Sequence, residues 1–316
     1  MNGSTQVGIA VHDILLNLPP PRRNAILART EQAGLDYLCV ADHVSFHDGA
    51  GFDGLISATA ALTGAERLPV LVGIYLLALR NPLLTARQLA SISQLAPGRL
   101  ILGVGAGGED RAEINNSGVD PATRGRRLDE CLQILRALAG GAAVDHSGEF
   151  FRLRAAAIRP APQPEIPIVI GGRGEAAVRR TARYGDGWLG IFCTPRRYAL
   201  TREQISAAAS AARREPPRWY GLNIWCGLDD DPDRARQLLA GQLESLYRLP
   251  YDQFRHLTLA GNPAQVAAGI APFVAAGAQH ITVIPAAASP EAAVEHAAAV
   301  RAALTDLPQD RVPVAP

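Results

Sequence analysis

Apolar runs and amphipathic stretches alternate along this chain almost to its end. Val7 to Val11, Tyr37 to Val40, Pro69 to Leu77, Leu100 to Val104, Ile166 to Ile170, Trp188 to Cys193, Tyr220 to Leu228 and His280 to Ile284 are short, mostly apolar runs. Between them lie stretches with helical spacing. These are Pro21 to Ala33, closed by Gly34; Asp53 to Glu66; Pro82 to Leu95; a face made by Leu128, Leu132, Leu135 and Leu138; a segment ending at Tyr184; Pro263 to Ala276, ended by Gly277; and Pro290 to Leu304. Runs without a polar face predict strands buried on both sides, hence a parallel sheet covered by helices. Eight such units in 316 residues predict an α/β fold, a single (β/α)8 TIM barrel over residues 1–316, in preference to an open doubly wound sheet. Two segments break the rhythm and read as insertions in connecting segments: Gly140 to Pro164, with a hairpin-like piece, and Arg234 to Gly261.

Composition narrows the function. Hydrophobic residues make up 48% and charged residues 19%, enough apolar material for such a core. A formal net charge of +1 provides no field to hold nucleic acid or an anionic membrane. The apolar runs fall short of a membrane span, and Met1 to Gln6 lacks the pattern of a secretory leader. The chain has no lysine, which removes Schiff-base and lysine general-base chemistry. Cys39, Cys131, Cys193 and Cys226 are widely spaced and form no CxxC; buried thiols in a reducing cytoplasm are expected.

In a barrel the C-terminal ends of the strands form the active face. Asp42-His43 ends the second strand and offers a proton donor or acceptor near neutral pH; the bland alternative is a capping pair at a loop start. His43 and His47 stand four apart with Asp48 following, but no HxH follows the first strand and no ligands stand at later strand ends, so no metal site is assigned. Gly171-Gly172-Arg173-Gly174 precedes a helix beginning near Glu175, an arrangement suited to phosphate or to an ordinary turn. Gly103 to Gly108 satisfies GxGxxG, yet it follows the fourth strand and runs into a polar, broken stretch from Glu109 to Pro121, so a Rossmann site is rejected. Those glycines are expected to give a flat cofactor ring room against the barrel wall.

At these residues the sequence resembles the luciferase-like monooxygenase superfamily, which includes coenzyme F420-dependent oxidoreductases. The marks are Gly34-Leu35-Asp36-Tyr37 before Ala41-Asp42-His43, Leu79-Arg80-Asn81-Pro82, Pro97-Gly98-Arg99-Leu100 leading into Gly103 to Gly107, Pro162-Gln163-Pro164, Gly171-Gly172, Gly185-Asp186-Gly187-Trp188 and Gly261-Asn262-Pro263. The resemblance implies a flavin or deazaflavin at the C-terminal face of the barrel. It implies a non-proline cis peptide at the end of the third strand, expected at Tyr75-Leu76, and ring contacts from Asp42, Tyr75, Leu76, Gly105, Ala106 and Gly107. Phosphate contacts map onto Gly171, Gly172, Arg173 and Gly174, and onto Arg126 of the pattern Arg126, Leu128, Glu130. The F420 branch places an acid just after the glycine turn; that register holds Gly108, and Glu109 follows as the candidate. The catalytic candidates are thus His43, Asp42 and Glu109.

F420 is the favoured cofactor, because Asp-His without a second His directly after it resembles that branch, and because the lysine-free composition fits a GC-rich actinobacterial source. The alternatives are an FMN monooxygenase using O2 and separately reduced flavin, and a non-catalytic flavin-binding barrel. The expected partners are a small uncharged organic substrate, a separate flavin or F420 reductase, and a second copy docked through Leu55 to Leu62 and Leu83 to Leu95.

Overall fold

Eight parallel strands follow one another round a closed ring, and the last pairs with the first. In chain order the strands are β1 (Gln6–Ala10), β2 (Leu38–Val40), β3 (Val70–Tyr75), β4 (Leu100–Val104), β5 (Val144–Ser147), β6 (Arg152–Ala156), β7 (Ile168–Gly171), β8 (Gly187–Ile191), β9 (Trp219–Leu228), β10 (Leu259–Gly261) and β11 (His280–Ala286). The ring runs β1-β2-β3-β4-β7-β8-β9-β11 and closes through Val7 opposite Ile281 and Ile9 opposite Val283. This is the (β/α)8 barrel; the closing pair excludes an open sheet. The computed structural model describes residues 5–11, 15–107 and 110–307.

Alternation within each strand builds two layers. Val7, Ile9, Leu38, Val70, Leu100 and Ile170 face outward and join helix residues such as Leu27, Leu55, Leu132 and Val294. Ala10, Cys39, Leu71, Val169, Leu189, Trp225 and Ile284 fill the barrel itself.

The helices are α1 (Pro20–Gln32), α2 (Gly54–Gly64), α3 (Pro82–Leu95), α4 (Arg111–Asn116), α5 (Arg124–Leu138), α6 (Glu175–Tyr184), α7 (Pro195–Ala211), α8 (Pro232–Tyr247), α9 (Pro263–Ala275) and α10 (Pro290–Asp306). Five begin with a polar cap followed by proline: Asn81-Pro82, Thr194-Pro195, Asp231-Pro232, Asn262-Pro263 and Ser289-Pro290. In each, the cap side chain accepts a backbone N–H of the first turn while proline, having no N–H, leaves none unpaired. α7 lies between β8 and β9, where the sequence pattern predicts no helix, and α4 occupies part of the polar stretch after Glu109 that reads as broken.

Both insertions are real and differ in consequence. The first carries the antiparallel hairpin β5–β6. The second carries most of α8 and the short β10, which pairs onto the far end of β9. A Cβ at Gly227 would lie 2.1 Å from the Ala235 carbonyl oxygen, so glycine lets α8 press directly on the C-terminal rim of the barrel.

Candidate functional site

The end of β2 delivers two polar side chains to different tasks. Asp42 is 2% exposed. Its Oδ1 accepts from the Gly54 N–H (2.8 Å) and from Arg80 Nη2 (2.9 Å), and its Oδ2 accepts from the Leu76 N–H (2.8 Å). Burial pushes its pKa up to about 6, against the pull of the Arg80 guanidinium and the two N–H donors. Asp42 therefore joins the end of β2 to the first turn of α2 and to the segment after β3, with its acceptor sites taken by protein donors.

His43 is one residue further and faces differently. Its Nδ1 lies 3.3 and 3.4 Å from the two oxygens of Glu113 on α4. The same carboxylate accepts from the backbone N–H of Val44 (2.7 Å) and Ser45 (3.1 Å). Burial pushes the Glu113 pKa up, but the bonds from His43, Val44 and Ser45 outweigh it and hold the group below its ordinary value. Glu113 is thus an acceptor only, so Nδ1 of His43 carries the proton and the lone pair of the neutral ring sits on Nε2. The imidazole packs against Phe46 at 4.2 Å between centroids, the rings tilted by 31°, and its side chain keeps 26% of its surface. Neighbouring Asp110 accepts from the His47 N–H at 2.7 Å, so two carboxylates from one short helix fix the loop that carries His43. Glu113 went unnoticed in the sequence; its one local signal is the Asp110-x-x-Glu113 spacing of a helix start. Glu109, the candidate acid after the glycine turn, lies outside the described residues.

The third strand departs from expectation. The cis peptide joins Gly73 and Ile74, not Tyr75 and Leu76. Pairing of β3 with β4 passes from Val72 opposite Leu102 to Tyr75 opposite Val104, so β3 carries one extra residue. That bulge turns Ile74 inward and Tyr75 outward, which counting along a regular strand misses. Tyr75 is 1% exposed and packs in the outer layer under the Arg80 guanidinium, 5.0 Å from its ring centre. Leu76 is buried with Leu79, Ile114 and Val119.

The glycines at the ends of β4 and β7 have a clear local purpose. A Cβ on Gly105 would lie 2.0 Å from Ile74 Cδ1, and one on Gly171 would lie 2.9 Å from Ile74 Cγ2. Gly105 and Gly171 make room for Ile74, while Gly107, at φ +69°, passes Leu76. Ala106 packs against the outer core.

The two predicted arginines separate. Arg126 is exposed and forks onto Glu149 of the β5–β6 turn at 2.9 and 3.1 Å. Glu130 accepts from Phe150 N–H, Phe151 N–H and His146 Nε2, so Arg126 and Glu130 of this pattern both fasten the hairpin to α5. Arg173 stays exposed on the glycine turn, where its Nη1 donates to the Phe192 carbonyl. The turn itself is pinned by Trp188 Nε1 donating to the Gly172 carbonyl at 2.8 Å. Gly174 caps α6 without a side-chain bond.

A cavity of about 220 Å³ opens at the ends of β1 and β11, between Ala10, Ile284, Ala287 and Ser289 and Gln242 of α8. The expected lining residues Asp42, His43, Tyr75 and Gly105 are not among those of this cavity; Asp42 is engaged by three protein donors and Tyr75 packs in the outer layer. Among the described residues no cluster of His, Cys, Asp and Glu is placed to hold a metal ion, and no helix is long and apolar enough to cross a membrane.

Residues 6–248 match the family model described as luciferase-like monooxygenase. The chain belongs to the luciferase-like monooxygenase family. Among its relatives, an uncharacterized protein of Mycobacterium tuberculosis is 39% identical over 145 residues, which is 46% of this chain and 50% of that one; the match spans only half the length of such mycobacterial relatives. The F420-dependent glucose-6-phosphate dehydrogenase of Nocardia farcinica is 30% identical over 291 residues, 81% of this chain and 85% of that protein. In three dimensions the fold resembles an F420-dependent secondary alcohol dehydrogenase in complex with an F420-acetone adduct, with a TM-score of 0.83 at 22% identity over 96% of this chain and 100% of that one.

The site of this luciferase-like chain fits a phosphorylated ring cofactor on three counts. The Gly171–Gly174 turn ends at a helix start whose first N–H groups have no side-chain cap, the arrangement that receives an anion. Arg173 stands on it. Inside the barrel, Asn223 Oδ1 and Trp225 Nε1 are buried without a hydrogen-bond partner.

Proposed function

We propose that this chain is an F420-dependent oxidoreductase acting on a small uncharged organic substrate. The observation that carries the reading is the His43–Glu113 pair at the C-terminal end of β2, which leaves Nε2 as the proton-accepting atom. Support for the cofactor comes from relatives named for F420. Gly171, Gly172, Gly174 and Arg173 would hold its phosphate, and the wall around Ile74 would face its ring. When bound, a deazaflavin supplies the centre that takes up or gives back a hydride.

The chain's own residues handle the proton. His43 Nε2 accepts the proton of a substrate hydroxyl on oxidation and returns it to the carbonyl oxygen on reduction. Glu113 keeps Nδ1–H in place and stabilises the imidazolium formed meanwhile. Asp42 and Arg80 position the loop and take no proton from substrate.

FMN-dependent oxygenation is the second reading, favoured by the monooxygenase character of the family; it needs a separate reductase to supply reduced flavin. We place the protein in the cytoplasm, since its four cysteines are unpaired and buried. A homodimer through α2 and α3 is proposed because Ile56, Leu84 and Leu95 there are 61%, 65% and 63% exposed. Spectral titration of the purified protein with F420 and with FMN, followed by an O2-consumption assay, separates the readings. Tight F420 binding without O2 uptake supports the first. FMN binding with O2 uptake favours the second, and binding with no turnover leaves a flavin-binding barrel.

A further inference from the structure

We propose that Asn223 and Trp225, on the inner face of β9, read the imide edge of the cofactor ring. This rests on the reading that a flavin-type ring enters the barrel mouth, but not on which one.

Asn223 is 4% exposed and Trp225 is 3% exposed. The Asn223 Nδ2 donates to the Gly73 carbonyl across the barrel at 3.4 Å. That bond settles the orientation of the amide, because its oxygen in the same place would face another acceptor. Oδ1 is then left buried with no donor, and Trp225 Nε1 is buried with no acceptor. Roughly nine in ten buried polar groups in folded proteins are paired. Two orphans of opposite kind, two residues apart on one face of one strand, are a matched acceptor and donor. Their apolar neighbours include Leu189, Ile191, Ala10 and Ile284, and the last two also line the 220 Å³ cavity. Their ligand must therefore be neutral at this edge and carry a donor beside an acceptor. The pyrimidinedione edge of flavins and 5-deazaflavins does so, with an imide N–H flanked by two carbonyls. The N–H would donate to Asn223 Oδ1, and a carbonyl would accept from Trp225 Nε1.

The test uses whichever of F420 and FMN binds the wild-type protein, together with its N3-methyl derivative, in which the imide N–H is replaced by N–CH3. Affinities are measured by fluorescence titration. Wild type should prefer the parent cofactor at least about tenfold, the worth of one buried hydrogen bond. Asn223→Leu should lose that preference, and Trp225→Phe should weaken parent binding by about five- to tenfold. Equal wild-type affinity for parent and methylated cofactor would overturn the inference while leaving the cofactor assignment standing. Failure of both F420 and FMN to bind would remove the assignment and the inference together. The methylated ligand probes the wild-type protein directly, so a variant that fails to fold does not spoil the test.

Discussion

The end of β2 and the inner face of β9 lie three strands apart round the barrel and are built on opposite plans. At β2, Asp42 and Glu113 each take three protein donors, and the loop between them is held before any ligand arrives. On β9, Asn223 and Trp225 bury polar atoms that no protein group meets. A carboxylate buried without donors would be prohibitively costly, whereas a neutral amide or indole left unpaired costs about 1–3 kcal/mol. The charged side must therefore be preorganised by the protein itself, and the neutral side is the one that can wait for a partner.

That contrast can be broken at several points. His43→Ala should retain cofactor binding, because the phosphate and ring contacts proposed above lie elsewhere, and should lose turnover by about 10²–10⁴. A rate per folded molecule close to wild type would reduce His43 to a loop-capping residue. Asp42→Ala leaves two buried N–H groups unpaired and Arg80 with Asp53 alone. We expect a loss of about 3–5 kcal/mol in urea unfolding, and a loss below 1 kcal/mol would contradict the hub at β2. Glu113→Gln keeps the shape but not the anion under His43. Turnover should drop by up to about 10²-fold with melting temperature little changed; steady-state kinetics beside a melting curve distinguishes this from unfolding.

A smaller effect separates the two arginines. Arg173→Ala should weaken cofactor binding about tenfold, the value of a charge-assisted contact. Arg126→Ala should change it less than about threefold, because that guanidinium is engaged by Glu149 in a solvent-exposed pair on the β5–β6 hairpin. Equal losses would restore Arg126 to the phosphate site. The smallest effect is a pH slope. The Asp42 pKa is raised to about 6 in the folded state from about 3.9 unfolded. Between these values the native state binds more protons than the unfolded chain, so this group's stabilising contribution is full below about pH 4 and is lost as pH rises through about 6. The difference in unfolding free energy between wild type and Asp42→Asn, followed from pH 4 to 7, should carry that slope; a flat difference would place Asp42 at its ordinary value.

Much of the architecture was legible because it is local. Eight apolar runs and the helix starts at Pro82, Pro263 and Pro290 report burial and capping within a few residues of themselves, and the Asp42-His43 pair could be placed at a strand end by position alone. The errors arose where one residue changed a register. The bulge after Val72 moved the inward-facing position from Tyr75 to Ile74, and the polar stretch after the fourth strand hid the helix that carries Glu113.

What the sequence by itself determined was the order of strands and helices, since it follows from hydrophobic spacing and chain direction. Only the tertiary structure decided the partners. Glu113 meets His43 across 70 residues, Asn223 reaches Gly73 across 150, and Arg126 turns to Glu149 rather than to the glycine turn. Each pairing depends on how barrel closure and the two insertions bring distant strand ends and helices together, and no spacing along the chain encodes that distance.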